Sequence, residues 1–260
     1  MIRPHWVAAI ILIIATAETF AQDTAKVPLN SVEANVRLEH YPDGFDRTYL
    51  YLQYGRKIGR ADVFGKVLRY TLDNNVSYLF ETEAYVKSPK NGYWYFDAAW
   101  SASEFLPNYR LRAEMFRNWK RFEYSVGAGV VKPQDFDAIP LFTGSFGYYF
   151  GNYFVYIRPT FSYLDNGLAK SFFAQGRRYI NKTDFIALSA LRGADTGTSR
   201  PSNAIANSFG LDTWLVRVNA QVKKGKYKFG AGIDHGGIFI PGRESYMSFT
   251  GFDVFINREF

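Results

Sequence analysis

Apolar and polar residues alternate one by one along most of this 260-residue chain. Between Val76 and Val86, the even positions are mainly apolar and the odd ones carry Ser77, Glu81 and Glu83. A period of two residues is typical of a β-strand whose two faces meet different surroundings. The segments run for about 10–12 residues, longer than the usual 5–6 of soluble strands. The sequence therefore predicts an all-β protein of about 14 strands. Twelve is the alternative if residues 47–72 hold fewer strands or if the stretch around Gly236 is a loop.

The turns between these segments fall into two sets that alternate along the chain. Short ones contain Gly, Asn or Lys, whereas longer ones lie between them, at Lys132–Pro140, Leu164–Ala169 and Gly193–Ser208. Outer-membrane barrels have short periplasmic turns and longer extracellular loops. The apolar faces are rich in Trp, Tyr and Phe, which form 18% of the chain, as in the aromatic girdles of such barrels. The alternative, a soluble β-sandwich, explains neither the strand length nor these faces. We therefore expect a transmembrane antiparallel up-and-down barrel, closed because lipid cannot satisfy a sheet edge.

The N-terminal segment has the pattern of a signal peptide. Arg3 precedes an apolar core from Trp6 to Ala15, and small residues allow cleavage after Ala17 or, preferably, after Ala21. A membrane anchor is the alternative, but the core is shorter than the roughly 20 residues of a spanning helix. We predict a signal peptide at residues 1–21, a barrel domain at residues 22–260, and location in the bacterial outer membrane.

The last predicted strand ends the chain on an aromatic residue. Phe252, Val254 and Ile256 alternate with polar residues, and Phe260 closes the strand. A terminal Phe on such a strand resembles the signal that the outer-membrane assembly machinery reads, although Arg258 departs from that pattern. We predict that this strand pairs with the first one, Val32–Tyr41, and places Asp253 and Asn257 in the interior. The assembly machinery and the surrounding lipid or lipopolysaccharide are the expected partners.

The middle strands carry charges on their non-lipid face. The predicted lumen cluster consists of Glu81, Glu83, Asp97, Arg110, Arg112, Glu114 and Glu123. Arg37, Arg69, Arg158 and Arg217 are expected to extend it around the interior. Neighbouring strands bring such residues within pairing distance. The cluster is either a charged conduit or binding site for a polar polymer, or a set of struts that hold the barrel open. Acid–base chemistry on sugars by a carboxylate pair is a further alternative, weakened by the adjacent arginines.

Other chemistry has little support in the sequence. His40 and His235 lie near the longer-loop end with Ser245 or Ser248 nearby, so they are weak candidates for an outer-leaflet lipid hydrolase. The chain has no Cys and no metal-ligand spacing, phosphate loop or G-x-S-x-G motif. We therefore expect no metal and no cofactor. The net charge of +7 is spread without a basic block, which argues against nucleic acid as a partner.

Three stretches resemble the YaiO-type outer-membrane β-barrel family. They are FETEAYVKS (Phe80–Ser88), the run from Tyr93 to Trp119, and YSVGAGV (Tyr124–Val130). GNYFVYIRP and GRRYI, in the second half, fit as well, whereas Val86 and Leu106 depart from the pattern. The resemblance implies an outer-membrane barrel, and similar barrels close some exopolysaccharide-export proteins. We predict a pore or accessory subunit for surface polysaccharide or other polar solutes. The alternatives are a partner-binding subunit with a plugged lumen and the lipid hydrolase.

Overall fold

The computed structural model describes residues 29–42, 46–72, 75–89, 91–103, 105–134, 137–164, 167–194, 211–239 and 245–260. The predicted signal peptide lies outside these residues. Fourteen strands follow one another, as the alternation predicts. They are β1 (Asn30–His40), β2 (Asp46–Ile58), β3 (Ala61–Leu72), β4 (Asn75–Ser88), β5 (Gly92–Trp100), β6 (Tyr109–Trp119), β7 (Phe122–Lys132), β8 (Ile139–Phe150), β9 (Tyr153–Leu164), β10 (Gly167–Tyr179), β11 (Phe185–Ala194), β12 (Asp212–Lys224), β13 (Tyr227–Phe239) and β14 (Tyr246–Glu259).

Each strand pairs antiparallel with its sequence neighbours, and the first pairs with the last to close a barrel. The register between β1 and β14 runs from Ser31 opposite Glu259 to His40 opposite Thr250. Next to the Ser31–Glu259 pair, the backbone N–H of Phe260 donates to the carbonyl of Asn30 at 2.9 Å, and the N–H of Asn30 donates to the carbonyl of Phe260 at 3.0 Å. Closure leaves no unpaired edge, as a sheet in lipid requires. The predicted pairing of the final strand with the first is confirmed.

The two faces of each strand differ in exposure as the alternation predicts. On β14, Phe252 and Val254 point outward with 49% and 42% of their surface exposed, whereas Asp253 is 2% exposed inside. Ile256 shares the outward register, and Phe260 is 44% exposed. Among the described residues, none forms a helix with the length and apolar character needed to cross a membrane.

The turns confirm the alternation only in part. At the end of the barrel that holds Asn30 and Phe260, all the turns are short; we call this the short-turn end and the opposite one the loop end. At the loop end, β9 reaches Leu164 and β10 begins at Gly167. The predicted longer loop at Leu164–Ala169 is therefore wrong, because both strands continue beyond the point where the alternation weakens. The long segment Gly193–Ser208 lies mostly outside the described residues.

Candidate functional site in the barrel lumen

Five of the seven predicted lumen residues form one network on β4, β5 and β6. Arg110 is its centre: its Nε donates to Asp97 Oδ2 at 2.7 Å and its Nη2 to Glu81 Oε2 at 2.8 Å. Arg112 lies 3.3 Å from Asp97 and donates to the Tyr95 hydroxyl. All of these side chains are less than a tenth exposed. Buried charges of this kind must be paired and hydrogen-bonded, and here they are.

Lys66 on β3 adds a cation that the sequence analysis did not include. Its Nζ lies 3.0 Å from both Glu81 Oε1 and Glu83 Oε1. The carboxylates of Glu81, Glu83 and Asp97 approach within 4.8 Å of one another, a spacing that could hold a metal ion. Lys66, Arg110 and Arg112 match these three negative charges one for one. The network is thus neutral without a metal, and its chemistry is that of a cross-brace.

A second network lies at the closing seam, on β1, β12, β13 and β14. Arg37 donates two hydrogen bonds to the Asp234 carboxylate, of 2.6 and 2.9 Å, and a third to Glu39. Arg217 lies 3.0 Å from Asp234 and 2.6 Å from Asp253. The predicted inward positions of Arg37, Arg217 and Asp253 are confirmed.

Glycines on the lumen wall make room for this second network. A Cβ atom at Gly232 would lie 2.4 Å from Arg217 Nη2, and one at Gly251 would lie 2.5 Å from Asp234 Oδ1. A larger residue at either position would push a guanidinium or a carboxylate out of its pair. The sequence analysis missed these positions, although an inward glycine on a strand is itself a signal of close approach.

The remaining predicted lumen charges behave differently from one another. Glu114 accepts from Arg158 at 2.8 Å across two intervening strands and from the Ser125 hydroxyl. Glu123 points inward, is half-buried and makes no ion pair among the described residues. Arg69 does not extend the cluster: it stands opposite Tyr78, which is 50% exposed on the outer face. Arg69 falls on the outward register because Leu68 and Tyr70 take the inward positions.

Apolar residues form two buried clusters above these charges, at the loop end. Tyr41, Leu215, Ile238, Met247 and Phe249 form one buried cluster. Tyr49, Leu68, Tyr70, Leu79, Ala99 and Leu106 form another. Leu106 belongs to the connection after β5, which folds into the barrel mouth and is held there by a bond from the Ser101 hydroxyl to the Tyr78 carbonyl. The family departure at Leu106 therefore fills the second cluster.

We call the part of the lumen at the short-turn end the vestibule. Its inward residues are mostly half-buried. Tyr93 stacks on Phe116 with centroids 4.5 Å apart, and Tyr85 lies 4.9 Å from Tyr95. Across the lumen, a second aromatic series consists of Tyr149, Phe154, Tyr156 and Phe173. The alternation does not single out the second series, because its strands carry aromatic residues on both faces.

The two histidines that were weak candidates for a lipid hydrolase lie on the outer face near the loop end. His40 and His235 stand on either side of Thr250, on β1, β13 and β14. His40 Nδ1 lies 2.8 Å from Asp46, and His235 Nδ1 lies 3.1 Å from the Thr250 hydroxyl. Among the described contacts, neither Ser245 nor Ser248 hydrogen-bonds to a histidine. The hydroxyl beside His235 is that of Thr250. The described residues therefore place no serine nucleophile next to either histidine.

The sequence and the fold were compared with known proteins. A family model described as "YaiO membrane beta barrel domain" matches residues 29–197, from the start of β1 to just past β11. None of the curated proteins is a significant sequence match to the chain.

Several solved structures share the fold. A "bacterial polysaccharide outer membrane secretin" aligns with a TM-score of 0.55 and 8% identity, over 90% of this chain and 100% of that one. The outer membrane protein Omp33 of Acinetobacter baumannii aligns with a TM-score of 0.54 and 12% identity, over 90% and 98%. At such identities, the likeness concerns the fold alone. With the family match, it places the chain in the outer membrane as a multi-pass barrel.

Proposed function

Because the chain belongs to the YaiO membrane beta barrel domain family, we propose that it is an outer-membrane conduit or accessory subunit for polar solutes, surface polysaccharide in particular, with a lumen that is closed at rest. The observation that carries this proposal is the contrast along the lumen. The vestibule is polar, aromatic and half-exposed, whereas buried apolar clusters occupy the loop end. In this proposal the two apolar clusters form a seal that can open, which we call the seal. A vestibule that leads to such a seal is suited to a gated passage.

The aromatic rings of the vestibule support a sugar as the passing solute. Ring faces pack against the apolar faces of sugar rings, and hydroxyl, amide and guanidinium groups satisfy the sugar hydroxyls. Gln175, Arg177 and Gln221 stand among the aromatic residues of the second series and its neighbours. The lumen-facing charges deeper inside are already paired, so they brace the wall and do not compete for the solute.

Single-channel recording in planar bilayers tests the proposal. We expect the wild-type barrel to be silent or nearly so. Replacing Tyr49 and Tyr70, whose rings pack 5.1 Å apart in the seal, with alanine should produce stable conductance. The control pair, Tyr54→Ala with Tyr78→Ala, removes two outward tyrosines that are 47% and 50% exposed and should stay silent. Heat-modifiable migration on gels confirms that each variant is folded.

A second candidate function is a partner-binding subunit whose lumen is permanently plugged. The dense pairing of buried charges favours it, because such networks hold a wall rigid. If the Tyr49→Ala, Tyr70→Ala variant folds and remains silent, the conduit is wrong and this second function stands.

A further inference from the structure

The positive charge of the chain is concentrated at the short-turn end of the barrel. The turn between β12 and β13 places Lys223, Lys224, Lys226 and Lys228 within six residues. Adjacent basic pairs stand at two other turns, Lys120–Arg121 and Arg177–Arg178. Acidic residues are fewer at this end among those the structure describes. Deeper in the lumen, the first network is neutral and the second sets Arg37 and Arg217 against three carboxylates, so neither carries a positive surplus.

Part of this surplus points into the lumen and part points out of it. Lys223 and Lys228 both pair with Glu259 on the inner wall, Lys223 at 2.5 Å. Two lysines share one carboxylate, so this group carries one net positive charge. Lys224 and Arg178, one residue further along their strands than Lys223 and Arg177, are exposed on the outer face. Inward side chains in the vestibule are out of reach of lipid, so a partner that contacts them is water-soluble.

Arg177 is an inward cation of the vestibule with unused hydrogen-bonding capacity. It contacts Tyr179 and Gln175 and makes no ion pair with any described carboxylate. Its Nε is buried without a hydrogen-bond partner. The guanidinium lies 4.4 Å from the centroid of the Phe185 ring, which holds it in place. Guanidinium groups bind carboxylates through paired, charge-assisted hydrogen bonds.

We propose that the vestibule selects an acidic polysaccharide, such as one that bears uronic acid carboxylates, and that Arg177, Lys223 and Lys228 are its anion-binding residues. The inference rests on the proposed function and adds the charge class of the solute. Aromatic rings beside the cations accommodate sugar rings, and a mouth of one sign raises the local concentration of an oppositely charged polymer. An acidic protein segment would satisfy the charges but would not use the ring faces.

Binding of defined polymers to the refolded chain in neutral-lipid nanodiscs tests this proposal. The probes are polygalacturonate, neutral dextran of similar length, and polyglutamate. We expect polygalacturonate to bind most tightly, with an affinity that falls as salt rises because the contacts are ionic. Dextran binding as tight as that of polygalacturonate, or no polygalacturonate binding at all, would overturn the anionic selectivity. Equal binding of polyglutamate would reassign the vestibule to an acidic polypeptide.

The chain offers a matched pair of variants for locating the site. Arg177→Gln with Lys223→Gln removes two inward cations, and Arg178→Gln with Lys224→Gln removes two outward cations from the same strands. Both variants lose the same net charge. The inward variant should lose about tenfold or more in polygalacturonate affinity, and the outward one less than about twofold. Equal losses would show attraction to the whole charged end and contradict a vestibule site.

The two proposals fail separately. A barrel that binds polygalacturonate through Arg177 but never conducts, even without its seal, keeps the anion site and loses the conduit. A barrel that conducts after removal of the seal but does not discriminate between polygalacturonate and dextran keeps the conduit and loses the site.

Discussion

Replacing Arg110 with methionine should destabilise the barrel far more than a surface charge would. Arg110 is 4% exposed, and its guanidinium donates hydrogen bonds to both Asp97 and Glu81. Its removal would leave three buried carboxylates in the network to share two cations, Lys66 and Arg112. Breaking a buried ion pair by removing one partner costs about 3–5 kcal/mol, because the remaining charge is uncompensated. We expect a loss of that size in the free energy of unfolding.

The matched control is Arg192→Met on the outer face. Arg192 also contacts an aspartate, Asp212, at 2.9 Å, but the two side chains are 59% and 41% exposed. Exposed pairs are worth about 0–1 kcal/mol, so this change should be nearly silent. Equilibrium urea unfolding of the refolded barrel in lipid vesicles, followed by tryptophan fluorescence, measures both variants.

The comparison also reports the state of the lumen. In a water-filled channel, the Arg110 network would be screened much as an exposed pair is, and Arg110→Met would cost about 1 kcal/mol or less. Adding Asp97→Asn to Arg110→Met should recover part of the loss, since contacting residues are non-additive. If Arg110→Met costs no more than Arg192→Met, the idea of a dry, braced middle lumen is refuted.

Three further predictions concern the turns and the chain end. A hydrogen bond from the Asn181 side chain holds the pKa of Asp184 below its ordinary 3.8. The stabilisation that the Asp184 carboxylate contributes is therefore present above pH 3.8 and is lost as the pH falls through the lowered pKa. Asp184→Asn should flatten the acid branch of an unfolding titration, and an unchanged acid branch would contradict this contribution. Deleting Phe260 should reduce heat-modifiable barrel in outer membranes but leave refolding into vesicles nearly intact, whereas normal yield in cells would contradict an assembly role. Gly193→Ala should destabilise the barrel by more than Gly225→Ala, because a Cβ at Gly193 would lie 2.1 Å from a backbone carbonyl while Gly225 has open space. Both glycines have a positive φ, where strain costs about 1–3 kcal/mol, so the clash at Gly193 makes the difference. The urea midpoints of the two variants measure the order.

The alternation of residues was sufficient to predict the strands, their number and which residues face inward. It failed at Arg69, where β3 keeps Leu68 and Tyr70 inside and turns the charge outward. Periodicity alone does not reveal this, because an apolar cluster buried on the inner face reverses the expected polarity of the two faces there. The alternation also failed after β9, where β9 and β10 continue beyond the alternating region and shorten the predicted loop.

Which charges meet could not be predicted from any single strand. Glu114 reaches Arg158 across β7 and β8, and Arg37 reaches Asp234 at the closing seam. Both contacts depend on register and on the curvature of the closed sheet. The inward glycines at 232 and 251 acquire a meaning only when the guanidinium and carboxylate beside them are in place.

The sequence by itself determined that this chain is a barrel, because a two-residue period over long aromatic-faced segments leaves a closed sheet in lipid as the arrangement that satisfies every backbone group. It also determined the chemical content of the lumen, since inward residues are set by the strand period. Only the tertiary structure decided how that content is distributed: apolar clusters at the loop end, a neutral braced middle and a basic vestibule. That distribution arises from cross-strand register, which brings residues far apart in sequence within reach of a hydrogen bond.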